Sequence, residues 1–116
     1  MTIDSFLHRL TDSPDSIGFD DTMALIDRHY RFTPVAFSNG GLLNEAGQNS
    51  GSCKLFAFGL LHRLSEQQTL ACFGDYYREH VLRHPHGDDH QNIRHFMQTG
   101  WTGIRFDRSP LTPINP

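Results

Sequence analysis

The stretch "SCKLFAFGLLHRL", residues 52–64, constrains this chain more than any other. Cys53, Phe56, Ala57, Leu60, Leu61 and Leu64 recur at helical spacing on one face, and Leu55 and Phe58 widen that face nearly all round. A helix this apolar has no side to give to water, so it belongs at the centre of a domain with other elements packed about it. Gly59 weakens helix propensity in its middle and is expected where a neighbour must approach closely.

The flanking segments supply the partners. Ile3, Phe6, Leu7 and Leu10 predict a short amphipathic first helix that "TDSPDSIG" ends. Phe19, Met23, Ile26 and Tyr30 form one stripe of a second helix, with Asp20 and Asp21 at its electropositive start. Ser65, with Gln68 three residues on, makes a capping box for a fourth helix whose buried side runs through Leu70, Phe73, Tyr77 and Val81. His84-Pro85 stops it, because proline pushes the preceding residue out of helical space. Asp88 or Asp89 opens a fifth helix through Ile93, Phe96 and Met97 to Gly100. Between the second and third helices, "RFTPVAFSNGGLLNEAGQNSGS" lacks helical period and reads as one long irregular Asn/Gly-rich loop, of a kind more often functional than filler. The expected fold is mainly α. It is a single domain, residues 1–116, of about five helices around the central one, with a short extended tail over Trp101, Ile104 and Phe106. Residues 1–4 and 109–116 are expected to be loose.

Nine Phe and three Tyr in 116 residues give enough aromatic mass for a core without staples. Cys53 and Cys72 each sit among apolar residues and read as buried, reduced thiols. A formal charge of -3 argues against nucleic acid as a partner. No apolar run approaches the roughly 18 residues that span a bilayer, so no membrane partner is expected. "MTIDSFLHRL" carries no secretory signal pattern, so the expected location is the cytoplasm, or export by a route that leaves no cleavable signal.

With the loop and last helices in view, the chain resembles the HopJ type III effector family. The segments that carry the resemblance are "TPVAFSNG", "NEAGQNSGSCKLFAF", "QTLACFGDYYREHVL", "HPHGDDHQNIRHFM" and "GWTGI", in order from about Phe6 to Leu111. The resemblance implies a bacterial protein of a group named for delivery through type III secretion, which is the alternative location. It transfers no catalytic residues.

Two segments carry the candidate chemistry. Asn39, Asn44, Asn49 and Ser52 donate and accept hydrogen bonds, and they end where the free N–H groups of the third helix begin. Lys54 opposes the dipole in that first turn, and an anion, either a ligand or a protein carboxylate, would reconcile the two. Asx turns that tie the loop down are the more frequent use of such asparagines. The second segment is "FGDYYREH" with the histidine-rich stretch after it, where residues 80–96 hold five of the eight histidines. Asp75, Tyr77, His90, Asn92 and Arg94 are the candidate ligand contacts there, and an Asp75–Arg78 ion pair is the simplest reading of the first turn. His80, His84, His86 and His90 are the residues that would hold a metal. Without an HExxH or Cys-His pattern, capping and solvated histidines are favoured over metal, and no cofactor is expected.

These features support a small binding or regulatory domain whose polar pocket lies where the loop meets the third to fifth helices, and which takes a small polar or anionic ligand or a protein partner. One alternative is an effector acting through protein–protein contacts in a host cell. Another is a small hydrolase or lyase with Asp75, His80 and His90 as acid–base groups. No nucleophile motif such as G-x-S-x-G is present, so a non-enzyme is slightly favoured.

Overall fold

Phe56 is fully buried and touches four other rings: Phe37, Phe73, Phe96 and Trp101, at centroid distances of 6.0, 5.6, 5.0 and 6.3 Å. It lies on α3 (Ser50–Leu61), the apolar helix, and the rest of the chain is arranged around it. A computed structural model of the chain describes residues 1–114. Before α3 come α1 (Ile3–Asp12), α2 (Phe19–His29), β1 (Tyr30–Phe32), β2 (Phe37–Asn39) and β3 (Leu42–Asn44). After it come α4 (Glu66–Ala71), a π-helical segment (Tyr76–Val81), α5 (Gln91–Thr99), β4 (Ile104–Phe106) and β5 (Leu111–Pro113).

The five helices stand, but the mainly α expectation does not. The described residues also form five strands in two small antiparallel sheets, one ordered β3-β2-β4 and the other β1-β5, so the fold is mixed α and β. The long loop expected over residues 31–52 holds the end of β1, all of β2 and β3, and the first turn of α3, joined by irregular segments. Strands of three residues are too short to show a two-residue period, which is why the pattern looks irregular. Asn39 pairs with Leu42 across the two-residue turn Gly40–Gly41, whose φ values of +58° and +89° suit glycine. Tyr30, read as the end of the second helix, begins β1 and pairs with Pro113.

The ends are less loose than expected. Thr2 caps α1 by accepting from Ser5 N at 3.0 Å, so Ile3 and Asp4 are helical. Leu111 is buried, and β5 is held by β1. Residues 115–116 lie outside the described part.

Two further departures have local causes. Leu60 and Leu61 are about half exposed, so the buried face of α3 ends at Gly59. The fourth helix does not run unbroken to His84, because Gly74 takes φ +62° and breaks it after one and a half turns. A Cβ at Gly74 would lie 2.6 Å from Phe19 N, so the break lets this segment press against the start of α2. Gly59 behaves as expected: a Cβ there would meet the Trp101 ring at 2.8 Å. Trp101 packs edge-on to Phe96 and donates its indole N–H to Leu64 O at 2.8 Å. Cys53 and Cys72 are free and buried, and burial pushes the Cys72 thiol up to about 12.

Candidate functional site

Three of the five helices begin in the ordinary way. Thr2 and Ser65 cap α1 and α4 with reciprocal side-chain bonds, and Asp21 Oδ2 accepts from Gly18 N at 2.8 Å at the start of α2. Each also has an acidic residue in its first turn. The other two, α3 and α5, have neither. Their N-caps, Asn49 and His90, hold left-handed backbone (φ +51° and +49°), where a side chain does not reach its own helix's N–H groups. Asn49 Nδ2 instead donates to Asn44 Oδ1 at 2.7 Å, and the His90 ring lies 3.1 Å from His80, Nε2 to Nδ1. The first-turn N–H groups of both helices therefore have no cap.

Both N-termini open onto one pocket of about 470 Å³. Asn49, Gly51 and Ser52 of the α3 end line it together with His90, Gln91 and Asn92 of the α5 end. Phe19, Phe73 and Tyr76 make the aromatic wall. Phe19 reaches it because Gly51 has no side chain: a Cβ there would meet the ring at 2.7 Å.

The polar wall is held by a buried amide network. Asn39 Nδ2 donates to Asn92 O at 2.8 Å and to Asn92 Oδ1 at 3.1 Å. Asn44 and Asn92 bond each other through both amide atoms. Asn39 and Asn44 are essentially inaccessible, and Asn39 Oδ1 has no protein partner among the described residues. Asn39 and Asn44 thus brace the pocket from behind, while Asn49, Ser52, His90 and Asn92 line it.

The remaining candidates lie elsewhere. Lys54 Nζ bonds Asp27 Oδ1 at 2.8 Å and sits over the Phe32 ring, so a protein carboxylate meets its charge. Asp75 lies in an adjoining pocket of about 550 Å³ with Asp15, Asp20 and Asp21, on the far side of the Phe19–Tyr76 wall. The Asp75–Arg78 ion pair is present at 3.8 Å, and Arg78 also donates to Ile17 O at 2.6 Å. Tyr77 is buried and accepts from Gln67 at 3.3 Å. Arg94 ties down the histidine-rich loop through His84 O, Asp89 O and Asp89 Oδ1 at 2.8, 2.6 and 2.6 Å. That bond to Arg94 holds the Asp89 carboxyl below the usual carboxylate range. Of the four histidines named for a metal, His80 and His90 meet, while His84 and His86 lie exposed on the loop between them.

The sequence reading missed Phe19, Gly51, Tyr76 and Gln91. Tyr76 had a legible signal: Tyr77 falls in line with Phe73 and Val81 and must be buried, which leaves its neighbour on the wet side.

Comparison with known proteins places this architecture. The family model for the HopJ type III effector protein matches residues 3–111. The chain belongs to the HopJ family. It is also similar to a solved crystal structure of an unknown-function protein, VPA0580, at 57% identity and a TM-score of 0.96, over 97% of this chain and 94% of that one. No curated protein matches the chain. No helix among the described residues is long and apolar enough to cross a membrane.

Proposed function

We propose that this HopJ-family protein is a small ligand-binding domain whose pocket between α3 and α5 takes a compact anionic molecule bearing a phosphate or carboxylate. The observation that carries the reading is the convergence of two uncapped helix N-termini, both without first-turn acids, on one pocket. Each presents backbone N–H donors and the positive end of its dipole. His90 adds a donor, and the Phe19–Tyr76 wall offers an apolar face to the rest of the molecule. The residues fit recognition more readily than turnover, since Asp75 lines the adjoining pocket, whose lining includes no histidine. A cytoplasmic location accords with this role.

The reading is tested by thermal shift in inorganic phosphate and small carboxylates at matched ionic strength. Binding raises the melting temperature by mass action. A flat response across phosphate, sulfate, citrate and a sugar phosphate would remove the proposal.

A type III secreted protein that docks on a host protein is the second reading. It is favoured by a groove of about 320 Å³ edged by exposed Leu82 and Met97 and by Pro85. Its test is translocation of a reporter fusion from secretion-competent bacteria but not from secretion-deficient ones.

A further inference from the structure

We propose that His80 and His90 together bind one divalent transition-metal ion, with its remaining coordination positions open to solvent. This goes beyond the anion reading and stands whether or not the pocket takes an anion. The two residues come from separate elements, the π-helical segment and the N-cap of α5, and are brought together only by the fold.

His80 Nδ1 and His90 Nε2 are 3.1 Å apart. Two imidazole nitrogens each about 2.0–2.1 Å from one ion stand roughly 2.9 Å apart at a right angle and roughly 3.4 Å apart at a tetrahedral angle. The observed separation falls between these limits, so either geometry is reached with small ring movements.

The surroundings hold the pair in place. Tyr76 packs against both rings, at centroid distances of 5.4 and 5.1 Å. His90 keeps a left-handed backbone that non-glycine residues seldom adopt, and strain of this kind gathers at functional sites. The π-helical turn that carries His80 is also a rare conformation with the same association.

Asp89 lies beside the pair. Arg94 Nη2 holds its Oδ1 at 2.6 Å and meets its charge, while Oδ2 lies 3.9 Å from His90 Nε2. The two imidazoles, rather than this carboxylate, therefore carry the site.

The donor set selects the ion. Imidazole suits zinc, nickel and copper, whereas magnesium and calcium require oxygen ligands. Among the described residues no three His, Cys, Asp or Glu side chains converge to enclose an ion. Water or an exogenous anion therefore completes the coordination, as in an open site rather than a closed structural one.

The experiment uses untagged full-length protein, stripped with a chelator and titrated calorimetrically with nickel or zinc chloride alone. One equivalent should bind, and copper(II) should give an electron paramagnetic resonance signal with nitrogen hyperfine splitting. His80→Ala and His90→Asn should each weaken binding at least about ten-fold. Asparagine is chosen at position 90 because it tolerates left-handed backbone. His86→Ala should bind as wild type does. Circular dichroism checks that each variant is folded, and if His90→Asn is not, His80→Ala decides, since His80 is exposed. Absence of saturable binding by wild type would overturn the proposal. So would full binding by His80→Ala, or loss of binding in His86→Ala.

Discussion

Asn44 and Asn92 present their amides to each other in both directions: Asn92 Nδ2 donates to Asn44 Oδ1 at 2.9 Å, and Asn44 Nδ2 donates to Asn92 Oδ1 at 3.2 Å. The pair joins β3 to the first turn of α5, so it fixes how the two sides of the pocket face each other. Asn92→Leu removes the side-chain partner of both amides, leaving Asn39 Nδ2 its bond to the backbone carbonyl of residue 92 and Asn44 Oδ1 its bond from Asn49, while Asn44 Nδ2 loses its bond to Asn92 Oδ1. It should cost about 1–3 kcal/mol in urea unfolding, because a buried amide donor loses its partner without regaining water. Adding Asn44→Leu should cost less than the sum of the two single changes.

Phe56→Ala opens a cavity among four rings and should destabilise by about 3–5 kcal/mol. A melting temperature within a degree of wild type would contradict the placement of α3 at the centre.

Gly59→Ala drives a methyl group into the Trp101 ring and should cost about 1–3 kcal/mol. Trp101 is the sole tryptophan, so its fluorescence reports the displacement directly. Trp101→Leu should remove most of the penalty in the double variant.

Ser52→Asp separates stability from binding at the pocket. A carboxylate in the first turn of α3 favours the dipole, so the unliganded variant should gain about 0.3–1 kcal/mol. The same charge should abolish the rise in melting temperature produced by phosphate or a carboxylate. Lys54→Met should keep that rise, because Lys54 is engaged by Asp27. Its own effect on stability should stay below about 1 kcal/mol, as for an exposed ion pair.

Burial lowers the pKa of His62 in the folded state, and its Nε2 lies 2.8 Å from the Tyr30 hydroxyl. The unfolded chain then binds the proton more readily, so stability is full above the ordinary histidine value of 6.5 and falls as pH drops below it. Urea midpoints at pH 7.5 and 5.5 should differ less for His62→Gln than for wild type, and an unchanged difference would exclude His62 as a source.

What the sequence made legible was what local periodicity records. The five helices, the burial of Phe56 and Phe96, and a close approach at Gly59 follow from side-chain spacing and residue chemistry. The sheets did not, because three-residue strands leave no repeat to detect. Asn39-Gly40-Gly41 carries the turn chemistry of the β2–β3 hairpin, a signal the irregular-loop reading passed over. Gly74 was equally hard to read, because its left-handed backbone is required by Phe19, more than fifty positions earlier. The pocket itself was half visible. The sequence places a helix start near Asn49 and another near Asp88 or Asp89, and only the packing of α3 and α5 about Phe56 brings the two open ends together.

The strand pairings also govern when this chain finishes folding. Phe37 waits for Phe106, and Tyr30 waits for Pro113, so both sheets need segments made after every helix is complete. β2 closes on β3 as soon as that hairpin is made, but at about 5–20 residues per second β1 and the other edge of β2 wait several seconds for β5 and β4. During that interval both edges are unpaired, and closure across such distances is slow compared with helix formation. The nascent protein is therefore a bundle of helices with two open strand edges until β4 and β5 have been made.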